Sequence, residues 1–181
     1  MSFDSTVHAK AVELTKLAYR MTTSAGSGHP TSAASLAHLV TILMYQHMRW
    51  EPANPAHPAA DRLVLSEGHA VPIIYAACAD VSVMVNKADG TQKALERDDT
   101  KALRDISSPL DGHPNPGEGF PFFDAATGSL GQGLSVSAGI AAAAIAIHGT
   151  LREHCAITKG QSISQCQIFH GHITAVDLEQ H

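Results

Sequence analysis

Three Gly-His pairs recur in this chain among turn-forming neighbours: Ser27-Gly28-His29-Pro30, Glu67-Gly68-His69-Ala70 and Asp111-Gly112-His113-Pro114. Glycine lets the backbone turn sharply or approach a ligand closely, and an adjacent imidazole can donate, accept or relay a proton near neutral pH. Downstream, Thr127-Gly128-Ser129-Leu130-Gly131-Gln132-Gly133 forms a glycine loop ahead of an alanine-rich stretch. Backbone N–H groups at such a helix start, backed by the positive end of the helix dipole, suit a diphosphate. The spacing is G-x-x-G-x-G and no Lys-Ser/Thr pair follows, so neither the dinucleotide fingerprint nor the P-loop fits. Alone, the loop fits either an anion cradle or an ordinary glycine-rich helix start. One Gly-His pair is weak evidence; three pairs followed by this loop point to a ligand site assembled from several loops. No H-E-x-x-H or Cys/His cluster supports a zinc reading of the histidines.

Elements that could position these residues are legible in the apolar spacing. From Thr6 to Thr23, Val7, Ala11, Leu14, Leu17, Ala18 and Met21 recur at three- and four-residue steps, the face of an amphipathic helix. The Ser24–Gly28 stretch ends it and Pro30 discourages its resumption. Thr31 or Ser32 then caps a second helix with Leu36, Leu39, Val40, Leu43, Met44 and His47 on its buried side. Leu63-Val64-Leu65 reads as a buried strand that delivers His69 at its C-terminal end, where ligands gather in open α/β sheets. A helix is expected from Ala70 through Cys78 with Pro72 in its first turn, and a helical tendency runs from Gln92 to Asp105. Ser107 to Gly128 is Gly- and Pro-rich without periodicity, a loop long enough to be functional. Leu130 to Ile147 reads as an alanine-rich helix, and from Gly149 onward no clear strand or helix pattern continues.

Composition narrows the classes further. Apolar residues at 44% and charged residues at 16% of 181 describe a buried, globular chain. A formal net charge of -5 and no Lys/Arg run argue against nucleic acid as the partner. Cys78, Cys155 and Cys166 lack disulfide-framework spacing and suit reduced thiols in the cytoplasm. The opening Met1-Ser2-Phe3-Asp4 lacks signal-peptide character, and no apolar stretch is long enough for a membrane span.

Taken in order, Ala25-Gly26-Ser27-Gly28-His29-Pro30-Thr31-Ser32, Asp61-Arg62-Leu63-Val64-Leu65-Ser66-Glu67-Gly68-His69-Ala70, Leu110-Asp111-Gly112-His113-Pro114 and Ala126-Thr127-Gly128-Ser129-Leu130-Gly131-Gln132-Gly133 closely resemble the N-terminal region of transketolases. The animal-type branch shares Gly-His-Pro-Thr-Ser and Thr-Gly-Ser-Leu-Gly-Gln-Gly, and the likeness covers about residues 7–148. It implies an α/β, three-layer thiamine diphosphate-binding fold with a mainly parallel sheet, incomplete here. Residues 1–148 would form that domain and 149–181 a divergent tail. By resemblance, His29 would face the reacting carbons and move protons, with Ser32 close to the cofactor. His69 would hydrogen-bond the diphosphate, while Gly128, Ser129 and Leu130 would contact the cofactor. His113 would bind a sugar hydroxyl. The implied activity is transfer of a two-carbon ketol unit between sugar phosphates in the pentose phosphate pathway. Its implied partner is the pyrimidine-binding domain of another chain or a homodimer mate.

The family's magnesium site departs from this pattern. There the glycine loop and its helix precede a strand ending in Gly-Asp-Gly, and a later Asn completes the metal site. Beyond Gly133 this chain has only Asp177 as aspartate and no asparagine after Asn115. Ala88-Asp89-Gly90 with Asn115 copies the spacing in the wrong order, so no metal ligand is assigned. Gly171-His172-Ile173-Thr174-Ala175-Val176-Asp177 resembles a later Asp-Gly-His segment of the same domain, which implies an internal deletion; a gene fragment or a frameshifted end is the alternative. Two functional expectations follow: a transketolase-type enzyme chain or a piece of one, and a catalytically silent member that keeps the dimerising surface.

Overall fold

The computed structural model describes residues 3–87, 89–148, 163–167 and 173–178. Helix α1 (Phe3–Ala25) buries the expected stripe of Val7, Ala11, Leu14, Leu17, Ala18 and Met21. Its end is a left-handed Gly26, whose N–H bonds Thr23 O at 3.2 Å. Helix α2 (Pro30–Ile42) starts earlier than the capping reading of Thr31 or Ser32. Pro30 opens this helix rather than opposing it, because at the first helical position proline loses no needed N–H and its φ is already helical. Leu43–His47 then widens into one π turn, with Met48 N–H reaching Leu43 O at 2.8 Å. The extra residue rotates the chain, so Leu43 and Met44 stay buried while His47, expected on the same face, is exposed.

Strand β1 (Arg62–Leu65) explains the layering. Successive strand side chains point to opposite faces. Leu63 and Leu65 enter the main core with α1, α2 and helix α3 (Pro72–Asp80). Val64 turns the other way, against Leu134, Ile140 and Ala141 of helix α4 (Gln132–His148). Helices thus cover both faces of the sheet, a three-layer α/β arrangement. Pro72 through Ala79 of α3 are buried all round, which places this helix at the centre of the core.

The expected continuous helical tendency from Gln92 to Asp105 is corrected. Strand β2 (Met84–Asn86) pairs antiparallel with strand β3 (Gln92–Ala94). Asp89 accepts from Thr91 N–H at 2.8 Å in the connecting turn, next to a left-handed Gly90. A capping box of Glu96 and Asp99 then starts only a short 3-10 turn, Arg97–Ala102.

The tail also differs from its patternless reading. Strands β4 (Ile163–Gln167) and β5 (Ile173–Leu178) join the sheet in the order β1-β5-β4. β5 runs parallel to β1, from Arg62↔Ile173 to Leu65↔Val176, and β4 runs antiparallel to β5. Among the described residues the sheet holds one parallel and one antiparallel pair, a small and incomplete α/β sheet. Gly171 and His172 lie outside the described residues, as does Cys155. No described helix is long and apolar enough to cross a membrane.

Aromatic rings fasten the 107–128 segment to the core. Tyr75 on α3 meets Phe120 at 4.9 Å and Phe123 at 5.8 Å between ring centroids, and Trp50 meets Phe122 at 5.1 Å. Phe120, Leu110 and Tyr75 are essentially inaccessible to solvent. On the opposite flank, Asp80 gathers Lys10 at 2.9 Å, the Tyr45 hydroxyl at 2.7 Å and Arg97, clamping α1, α3 and the 3-10 turn together.

Candidate functional site

The C-terminal end of β1 is the meeting point of all four motifs. Thr127 Oγ1 donates to Leu65 O at 2.6 Å, and Gly133 N–H donates to Ser66 Oγ at 3.1 Å. Both ends of the glycine loop are therefore stitched to the strand terminus. Gly133 must lack a side chain, because a Cβ there would lie 2.6 Å from Ser66 Cα. Gly68 is tighter still: a Cβ would sit 2.5 Å from Thr127 O and 3.0 Å from His113 Cδ2. The second Gly-His turn, the third and the glycine loop consequently touch at one glycine.

The first turn joins them through α2. His29 is the residue that precedes Pro30, and its ring meets that of His69 edge-on at a centroid distance of 4.9 Å. Ser32 is buried and performs no capping bond; its Oγ faces His69 Nε2 at 3.1 Å. His29 and His113 are exposed, whereas His69 is half-buried between them. Burial pushes His69 below the ordinary histidine value of 6.5, and the positive charge that His29 and His113 can carry pushes it further. At neutral pH His69 is thus an uncharged imidazole, able to donate one hydrogen bond and accept another.

The structure therefore brings His29, Ser32, His69, His113 and Gly128 together. Ser129 and Leu130 are placed differently. Ser129 gives its N–H to Gln132 Oε1 at 2.6 Å, and Gly128 N–H reaches the same oxygen at 3.0 Å. Leu130 is 66% exposed, before the helix rather than inside it, since α4 begins at Gln132. Two loop N–H groups converging on one oxygen are the donor set a phosphate oxygen would use. Here Gln132 fills that acceptor position itself, while its Nε2 donates to Ala126 O at 3.3 Å. The donors fit a diphosphate in kind, with Ser32 Oγ and His69 Nε2 as further polar groups.

Sequence reasoning overlooked Gln132, Thr127 and Arg104. Ser129-x-x-Gln132 has capping-box spacing, a signal that would have identified the Gln132 contact. Arg104 carried no such signal, as it lay in a stretch read as helix. Its Nη1 donates to Ser27 Oγ at 2.6 Å.

Among the described residues, no group of three or more His, Cys, Asp or Glu side chains is gathered to hold an ion. Asp89 serves its hairpin turn, and Asn115 Oδ1 accepts from Gly117 N–H at 3.0 Å. These local bonds account for the motif-like pair identified in the sequence.

Comparison with known proteins identifies the family that this chain resembles. A family model described as "Transketolase, thiamine diphosphate binding domain" matches residues 7–164. Transketolase of Pongo abelii is 47% identical over 120 residues, which are 66% of this chain and 17% of that protein. Transketolase-like protein 2 of Bos taurus is 43% identical over 122 residues, 67% of this chain and 17% of the relative. Among solved structures, transketolase from Campylobacter jejuni superposes with a TM-score of 0.68 at 32% identity, over 83% of this chain and 22% of that one. Transketolase of Pichia stipitis in complex with sedoheptulose-7-phosphate gives 0.66 at 30% identity, over 81% and 20%. The chain thus spans about a fifth of the length of the relatives it matches.

Proposed function

The chain belongs to the transketolase family through its thiamine diphosphate-binding domain, and from that premise we propose that it supplies the cofactor-binding half of a ketol-transferring site. The observation that carries this reading is the convergence of the three Gly-His turns and the glycine loop at the end of β1. Thiamine diphosphate, when bound, supplies carbanion stabilisation. In this reading His69 and Ser32 hold polar atoms of the cofactor, and Gly128, Ser129 and Leu130 line its other side. His29 moves protons at the reacting carbons, and His113 binds a hydroxyl of the sugar phosphate. The pyrimidine-binding domain comes from a homodimer partner or another chain, and the protein works in the cytoplasm.

A second reading is supported by Gln132, which satisfies the loop N–H groups without a ligand. Here the chain is a catalytically silent member that binds a fuller partner. Calorimetric titration with thiamine diphosphate, first with Mg²⁺ and then with excess chelator, separates the two. Charge and dipole contributions of about 0.3–2 kcal/mol each, set against the entropic cost of fixing a ligand, lead us to expect a dissociation constant in roughly the high-micromolar to millimolar range. Chelator should barely change it. Absence of any binding would favour the silent reading, and tight, chelator-sensitive binding would mean that a metal site forms after all.

A further inference from the structure

Arg104 is exposed, yet it has two properties that an ordinary surface arginine lacks. Its φ is +64°, a left-handed backbone that glycine adopts freely and other residues rarely. Both ends of the residue are also engaged with the Gly-His turns. Its N–H donates to Leu110 O at 2.7 Å, ahead of Asp111-Gly112-His113, and its Nη1 donates to Ser27 Oγ at 2.6 Å, ahead of Gly28-His29. Along the way the side chain crosses Gly112 so closely that a Cβ there would lie 3.2 Å from Arg104 Cδ and Nε. Strained backbone conformations persist where the surroundings over-determine them, and they cluster at functional sites.

We propose that Arg104 is a positioning residue: it ties the His29 turn to the His113 turn and sets the distance of these two histidines from His69. The part the histidines play in catalysis rests on the function proposed above; the tie itself does not. A rigid planar guanidinium suits this task, since it holds direction as well as charge.

The test follows each imidazole of the full chain by NMR through a pH titration, alongside thermal melting, in Arg104→Gly, Ser27→Ala and the double variant. Glycine relieves the left-handed strain while deleting the tie, so Arg104→Gly should melt within about 2–4 °C of the parent. Its His69 midpoint should nevertheless rise toward the ordinary histidine value, because His29 and His113 draw away. Ser27→Ala should shift His69 in the same direction, and the double variant should shift it no further than the larger single shift. An unchanged His69 midpoint in both single variants would overturn the proposal. A shift in Arg104→Gly alone would also overturn it, since it would trace to the guanidinium charge. Thiamine diphosphate is absent from this experiment, so failure of the cofactor reading would leave its outcome intact.

Discussion

Residue identity at this site is dictated by crowding as much as by chemistry. His69 stays neutral to lower pH than an ordinary histidine because it is half-buried and faced by two other imidazoles, and the consequence is measurable. Its folded value lies below the unfolded value near 6.5, so the unfolded chain binds more protons across the interval between them. Stability therefore rises with pH through that interval, and the deficit is complete once pH falls below the folded value. Replacing His69 with Gln removes this contribution while keeping a polar partner for Ser32. Urea melts at neutral and mildly acidic pH should show a smaller acid-side loss for His69→Gln than for the parent. Equal losses in the two proteins would place the acid sensitivity on other groups.

At the scale of elements, the helices and the first strand were legible because their signals are local and repetitive. The α1 stripe needed only three- and four-residue spacing, and Leu63-Val64-Leu65 needed only a short apolar run before Ser-Glu-Gly-His. The π turn after α2 was not legible, since its register change lies in one extra residue with ordinary side chains. Nor was the β2–β3 hairpin, whose pairing is tertiary and whose residues have fair helix propensity. For the candidate site, sequence order indicated which turns belong together, but not that Gln132 would occupy the loop donors. The long 107–128 loop hid its anchors in the same way, because Phe120, Phe122 and Phe123 follow neither helix nor strand period. Phe120→Ala should destabilise the chain by about 3–5 kcal/mol. It should also broaden the NMR signals of His113 more than those of His8, which lies on α1. A loss below about 1 kcal/mol would mean that the aromatic cluster does not secure the loop.

Across the whole molecule, the sheet connects segments distant in sequence. We propose a boundary of sequence character near residue 148, yet β5 lies beyond it and is hydrogen-bonded along the whole of β1. α4 packs against both strands, so the helix that Val64 faces also covers β5. An unpaired β1 would present a row of free N–H and C=O groups beside Leu63 and Leu65, at the strand whose end holds the glycine loop. A chain cut after residue 148 should therefore melt at a lower temperature than the full chain and show concentration-dependent association by light scattering. His69 supplies a local reading of the same event: if β1 frays, Thr127 loses its acceptor at Leu65 O, and the three histidines separate. Its titration midpoint should then rise toward the ordinary value together with the loss of stability. A truncated chain that keeps the parent melting temperature and His69 midpoint would show that residues 149–181 are dispensable for both the sheet and the site.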